Sequence, residues 1–115
     1  MATDANRARG QYGEDRAARW YVEHGYEVLE RNWRGSAGEL DLIVRRDNEV
    51  VFVEVKARAS MAFGSPLEAI NAAKQRRIRA LAAEWLRTGS VNGARLRFDA
   101  VAVLGVDVHV VEGAF

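Results

Sequence analysis

The chain contains no cysteine. That excludes a disulfide framework, a thiolate nucleophile and a cysteine-ligated zinc site, and it fits a reducing compartment. Lysine is almost as scarce: of 17 basic residues only Lys56 and Lys74 are lysines, and the rest are arginine. A lysine in such a chain draws the eye. The formal net charge is only +1, so the sum of charges does not announce a polyanion, although a local patch still can. Proline occurs once, and there is no repeat, linker or low-complexity stretch. No apolar run approaches membrane-spanning length, and the polar start, with Arg7 and Arg9, lacks the apolar core of a secretory signal. A cytoplasmic protein without membrane contact is the expectation.

What is present is the material of one domain. The chain has 115 residues and is 49% hydrophobic, enough for a single core spanning 1–115. Ala17, Ala18, Trp20, Tyr21 and His24 recur at helical spacing, which predicts a helix from about Tyr12 to His24 capped by Gly25. Strands follow at Tyr26 to Trp33, Leu40 to Arg46 and Glu49 to Ala57. Ser65, Pro66 and Glu68 stand in capping-box order and open a second helix, whose stripe is Leu67, Ile70, Ile78, Leu81, Ala82 and Trp85. Leu96 to Leu104 and a short Val106 to Val111 close the chain as strands. The order αβββαββ predicts an α/β fold with a mixed central sheet flanked by helices.

The second and third strands form the informative pair. A turn centred on Asp47-Asn48 sets Val44 against Val51, Leu42 against Val53 and Leu40 against Val55, an apolar face. The opposite face then pairs Ile43 with Phe52, Asp41 with Glu54 and Glu39 with Lys56. In that register the Asp41 and Glu54 Cβ atoms are roughly 5 Å apart, and the two carboxylates repel. A hard divalent cation, Mg2+ or Mn2+, relieves the repulsion. Lys56 leaves the same face as Glu54, where an ammonium can stabilise charge on a phosphoryl oxygen or position a water. Metal, lysine and paired carboxylates suit phosphodiester hydrolysis. A plain ladder of surface ion pairs is the alternative on spacing alone.

Gly38-Glu39-Leu40-Asp41-Leu42-Ile43 followed by Val51-Phe52-Val53-Glu54-Val55-Lys56 resembles the D…ExK core of the PD-(D/E)XK nuclease superfamily, to which archaeal Holliday junction resolvases are a similar branch. Over nearly its full length the chain resembles the YraN family. The likeness also runs through Gly10-Gln11-Tyr12-Gly13-Glu14, Asn32-Trp33-Arg34, Gly64-Ser65-Pro66, Lys74-Gln75-Arg76-Arg77-Ile78 and Arg97-Phe98-Asp99. The resemblance implies a restriction-endonuclease-like αβββαβ core with an extra C-terminal strand. It implies Asp41 and Glu54 as metal ligands and catalytic residues, Lys56 as the catalytic lysine, and Glu14 on the first helix as a further metal ligand. Leu40 stands where the superfamily's motif has proline.

Other residues keep two readings. Arg58, Lys74, Gln75 and Arg77 are candidates for nucleic-acid contact, against an ordinary solvated helix face for the basic segment Lys74, Arg76, Arg77 and Arg79. Gly10 and Gly13 read as a backbone able to approach a phosphate, or as a flexible N-terminal turn. Trp33 reads as a base-stacking platform or as core. Asp99 reads as a brace for the site or as a buried ion-pair partner. His24 and His109 lack metal-ligand spacing. Three functions follow: a metal-dependent endonuclease acting on DNA, including branched or repair intermediates, with a homodimer suited to two-fold substrates; a nucleic-acid-binding module without turnover; and a scaffold protein.

Overall fold

The structure is a computed structural model that describes residues 4–59 and 66–115. Its elements are α1 (Asp4–Glu23), β1 (Glu27–Gly35), β2 (Gly38–Arg46), β3 (Glu49–Arg58), a 3-10 turn (Pro66–Ala69), α2 (Ala72–Leu86), β4 (Arg95–Leu104) and β5 (Asp107–Val111). The five strands lie in sequence order in one sheet. Neighbours are antiparallel except β3 and β4, which are parallel. A parallel pair needs a crossover, and α2 supplies it. The expected α/β architecture with a short C-terminal strand is what the chain forms.

Each face of the sheet carries one helix. Ala17, Ala18 and Tyr21 of α1 pack with Leu42, Val44, Val51, Val53, Val101 and Val103. Ile78, Leu81, Ala82 and Trp85 of α2 pack with Ile43, Val50, Phe52 and Phe98 on the other side. The β2–β3 hairpin is therefore apolar on both faces over most of its length, which is the pattern of a strand covered twice. Phe52 sits at the centre of the second layer, edge-on to Trp85 at 5.8 Å and stacked with Phe98 at 5.4 Å.

Two element boundaries differ from the sequence expectation. α1 begins two turns earlier than Tyr12, so Gly10 and Gly13 lie inside the helix and form no turn. Gly13 is there for packing: a Cβ on it would stand 2.7 Å from the Ala57 Cβ. α2 begins later than Ser65. Pro66 to Ala69 closes only a 3-10 turn, and the helix starts anew behind Asn71, whose side chain accepts from the Lys74 N–H at 2.9 Å. Ser65 itself lies outside the described residues. The expected cap at Gly25 is present, with φ of 87° and a Tyr26 N–H returning to the Tyr21 carbonyl at 2.9 Å.

A buried polar lock joins three parts of the fold. Asp99 is 0% exposed. It accepts from the Tyr21 hydroxyl of α1 at 2.7 Å, from Arg97 Nε at 2.8 Å and Nη2 at 2.9 Å, and from the Gly113 N–H at 3.0 Å. Arg97 also reaches Glu49 at 2.8 Å and the Tyr26 hydroxyl at 3.0 Å. The ion-pair reading of Asp99 is the one the geometry carries. A buried carboxylate is tolerable only with such a complete set of donors.

Candidate functional site

The hairpin register holds as expected from Arg46–Glu49 to Leu42–Val53, with partners summing to 95, and the pairing ends there. Beyond it β2 continues paired to β1 and β3 continues paired to β4, so the two strands part. Asp41 stands at the fork. Its Oδ2 accepts from the Val55 N–H at 2.8 Å, a backbone donor that no longer faces a strand partner in β2. Three sequence expectations are corrected here. Asp41 and Glu54 are not a ladder pair. Glu39 lies opposite Arg34 of β1 and bonds to its guanidinium, so it does not face Lys56. Leu40 also changes sides, packing under α2 with Ile43 instead of beside Leu42. Asn32, near Asp41 on the neighbouring strand, has φ of 52°, a further sign of the local break.

The fork opens a cleft of about 390 Å³ lined by Gly38, Asp41, Glu54, Lys56, Lys74 and Arg77, among others. Its floor is the separating ends of β2 and β3, and one wall is the first turns of α2. The tip of the β1–β2 hairpin at Ser36 is fixed by Glu84 of α2, whose carboxylate accepts from the Ser36 N–H at 3.1 Å and hydroxyl at 2.8 Å. Gly35 permits that approach, since a Cβ there would meet Leu81 and Trp33 at 2.7 Å.

Inside the cleft the charges are tightly coupled. Glu54 is 5% exposed. Its Oε1 lies 2.7 Å from Lys74 Nζ and 3.6 Å from Lys56 Nζ. Both lysines of this arginine-rich chain thus converge on one carboxylate oxygen. Burial pushes the Asp41 carboxyl up to about 7, and the Glu54 and Glu14 charges push the same way. Burial, and the neighbouring Lys74 ammonium, hold Lys56 below its ordinary value against the pull of Glu54 and Asp41. Burial opposes the charge on Lys74 too, but its bonds to Glu54 and Lys56 and the Glu54 and Asp41 charges together outweigh burial and raise it. Glu14, half-buried on α1, is raised by burial and hydrogen-bonds Asn32.

A hard divalent cation fits two of these groups. Among the described residues Asp41 Oδ1 takes no hydrogen bond or ion pair, and Asp41 and Glu54 line one cleft. The donors are oxygens, and Glu54 raises Asp41 by repulsion, which a cation removes. Among the described residues no three acidic or histidine groups stand in ligating geometry, so Glu14 is an electrostatic neighbour of Asp41 and does not line the cleft.

The remaining candidates divide. Arg77 lines the cleft. Arg58 is exposed and lines an adjoining cleft with Arg9 and Gly10, which shares Val55 and Lys56 with the first. Gln75 points elsewhere: it donates to the Ile70 carbonyl at 3.2 Å and lines an apolar hollow with Leu67 and Phe115. Trp33 packs against the α2 layer, so the core reading holds for it. The Lys74–Glu54 pair is the feature that motif reading passes over, and the signal for it is the scarcity of lysine.

A family model, the uncharacterised protein family UPF0102, matches residues 13–103, which contain the fork, the cleft and, apart from Gly113, the Asp99 lock. The chain belongs to the UPF0102 family. This is the family whose YraN members the sequence resembles. A UPF0102 protein of Rhodococcus opacus (strain B4) is 52% identical over 99 residues, covering 86% of this chain and 84% of that protein. One from Moorella thermoacetica is 41% identical over 119 residues, covering 98% of this chain and 99% of that protein. One from Bifidobacterium longum (strain NCC 2705) is 47% identical over 113 residues, covering 92% and 91%. No helix among the described residues of this UPF0102 chain is long and apolar enough to cross a membrane.

Proposed function

We propose that this UPF0102 protein is a metal-dependent endonuclease that hydrolyses phosphodiester bonds in DNA, including branched or repair intermediates. The observation that carries the reading is the convergence of Asp41, Glu54 and Lys56 in one cleft at the point where β2 and β3 separate. Asp41 and Glu54 would hold Mg2+ or Mn2+. When bound, such an ion supplies Lewis acidity toward a phosphoryl oxygen and lowers the pKa of a water. Lys56, its amine held below the ordinary lysine range by burial, is suited to orient a water or take its proton. Arg77 in this cleft and Arg58 in the adjoining one would hold the flanking phosphates. A second reading, a nucleic-acid-binding module without turnover, draws on the Lys74 ammonium that already satisfies Glu54. The two part in one assay. Purified protein is incubated with labelled linear, flap and four-way-junction DNA, with and without Mn2+, beside Glu54→Ala and Lys56→Ala. Mn2+-dependent cutting lost in both variants supports the nuclease. Retained binding with no cutting by the unmodified protein supports the binding module.

A further inference from the structure

We propose that Lys74 is the resident cation of the cleft: its ammonium holds Glu54 until a divalent ion takes the same carboxylate, so metal binding and release of Lys74 are one event. The proposal rests on the reading of Asp41 and Glu54 as metal donors. Glu54 is 5% exposed, and a carboxylate so buried requires a positive partner. Lys74 Nζ is that partner at 2.7 Å, while Lys56 stands off at 3.6 Å from the same oxygen. The two lysines come from different layers. Lys56 rises from β3 beside Glu54, and Lys74 reaches in from the first turn of α2.

The backbone of Lys74 is pinned, because its N–H donates to Asn71 Oδ1 at 2.9 Å. Only the four-carbon stem is free to move, and a compact ammonium on a flexible stem suits a partner that must leave. A dication at Glu54 repels the ammonium now 2.7 Å from it and satisfies the carboxylate in its place. Arg77 lies one helical turn along the same wall of the cleft. A displaced Lys74 therefore joins Arg77 as a second cation for an incoming phosphate. Lys74 is on this view a positioning residue: it keeps Glu54 in place without metal and yields it when metal arrives.

The test is Mn2+ binding to the full chain, read from the electron paramagnetic resonance signal of free Mn2+. Lys74→Met and Lys74→Gln are expected to bind Mn2+ at least ~10-fold more tightly than the unmodified protein, since an adjacent positive charge is gone. Lys74→Gln keeps a donor for Glu54, so the test survives if Lys74→Met fails to fold. Lys74→Arg keeps the charge and should bind as the unmodified protein does. Lys56→Met should gain less than Lys74→Met. In thermal unfolding Mn2+ should raise the midpoint of Lys74→Gln more than that of the unmodified protein. Equal or weaker affinity in both neutral variants, beside measurable binding by the unmodified protein, overturns the role of Lys74 and leaves the metal site standing. No binding by any form overturns the metal reading and this inference with it.

Discussion

Replacing Asp41 by Asn should make the protein more stable above neutral pH. The Asp41 carboxyl titrates at about 7 in the fold against an ordinary value of 3.8, through burial first and the Glu54 charge second. Below the ordinary value the folded and unfolded chains both hold the proton, and folding loses nothing. Between the two values the folded chain keeps a proton that the unfolded chain releases, so stability falls by about 1.4 kcal/mol per pH unit as pH rises. Above the folded value the whole penalty is in force, about 4 kcal/mol. Asparagine carries no charge at any of these pH values, and its side-chain carbonyl can still accept the Val55 N–H that Asp41 binds at 2.8 Å. Lys56 loses an attractive neighbour, which offsets part of the gain. The net expectation is about 2–4 kcal/mol of added stability near pH 8 and little change near pH 4. Urea denaturation across that range measures it. At a slope of ~2 kcal/mol per molar urea, a gain of 2 kcal/mol moves the midpoint by about 1 M. Equal or lower stability of Asp41→Asn near pH 8, or a gain that does not grow with pH, refutes the reasoning.

Three further outcomes are expected. Asp99→Ala removes the acceptor for Tyr21, Arg97 and Gly113 and leaves the Arg97 charge under-compensated, a loss of ~3–5 kcal/mol in urea denaturation, whereas Tyr21→Phe loses one charge-assisted bond and about 1.5–3 kcal/mol. Gly13→Ala drives a Cβ to 2.7 Å from the Ala57 Cβ and should lower stability by ~1–3 kcal/mol, with Ala57→Gly in the same chain restoring it. Arg77→Ala should weaken binding to a labelled DNA and reduce the slope of log affinity against log salt by about 1, while Arg79→Ala, whose guanidinium lies 4.5 Å from the Phe98 ring centroid, should leave the slope unchanged.

The legible part of this fold is the part that apolar periodicity controls. The β2–β3 register follows from alternation around the Asp47-Asn48 turn, and it holds as far as Leu42–Val53 because a slip would expose valines and isoleucine on both faces. The fork beyond it is not periodic. A side chain, Asp41, takes a backbone donor that a strand would otherwise pair, and no hydrophobic pattern encodes that substitution. The start of α2 misleads for a local reason: Pro66 and Glu68 are good first-turn residues, yet they close a 3-10 turn, and Asn71, three residues after Glu68, caps the helix. Gly13 misleads in the opposite sense, since a residue that looks like a helix breaker is the only one that lets α1 lie against Ala57. In the cleft, Asp41, Glu54 and Lys56 are read from spacing and resemblance. The role of Lys74 opposite Glu54 depends on α2 crossing over the sheet, a tertiary fact that strand spacing does not contain.

In the proposed nuclease, Asp41 and Glu54 hold a divalent ion at the fork between β2 and β3. Anomalous diffraction from crystals grown with Mn2+ tests it most directly. One strong Mn2+ peak coordinated by oxygens of both carboxylates is expected, with the Lys74 ammonium moved away from Glu54, and no such peak in crystals of Asp41→Asn. A Glu54 still paired with Lys74 at full Mn2+ loading, with Mn2+ bound elsewhere or nowhere, would contradict it.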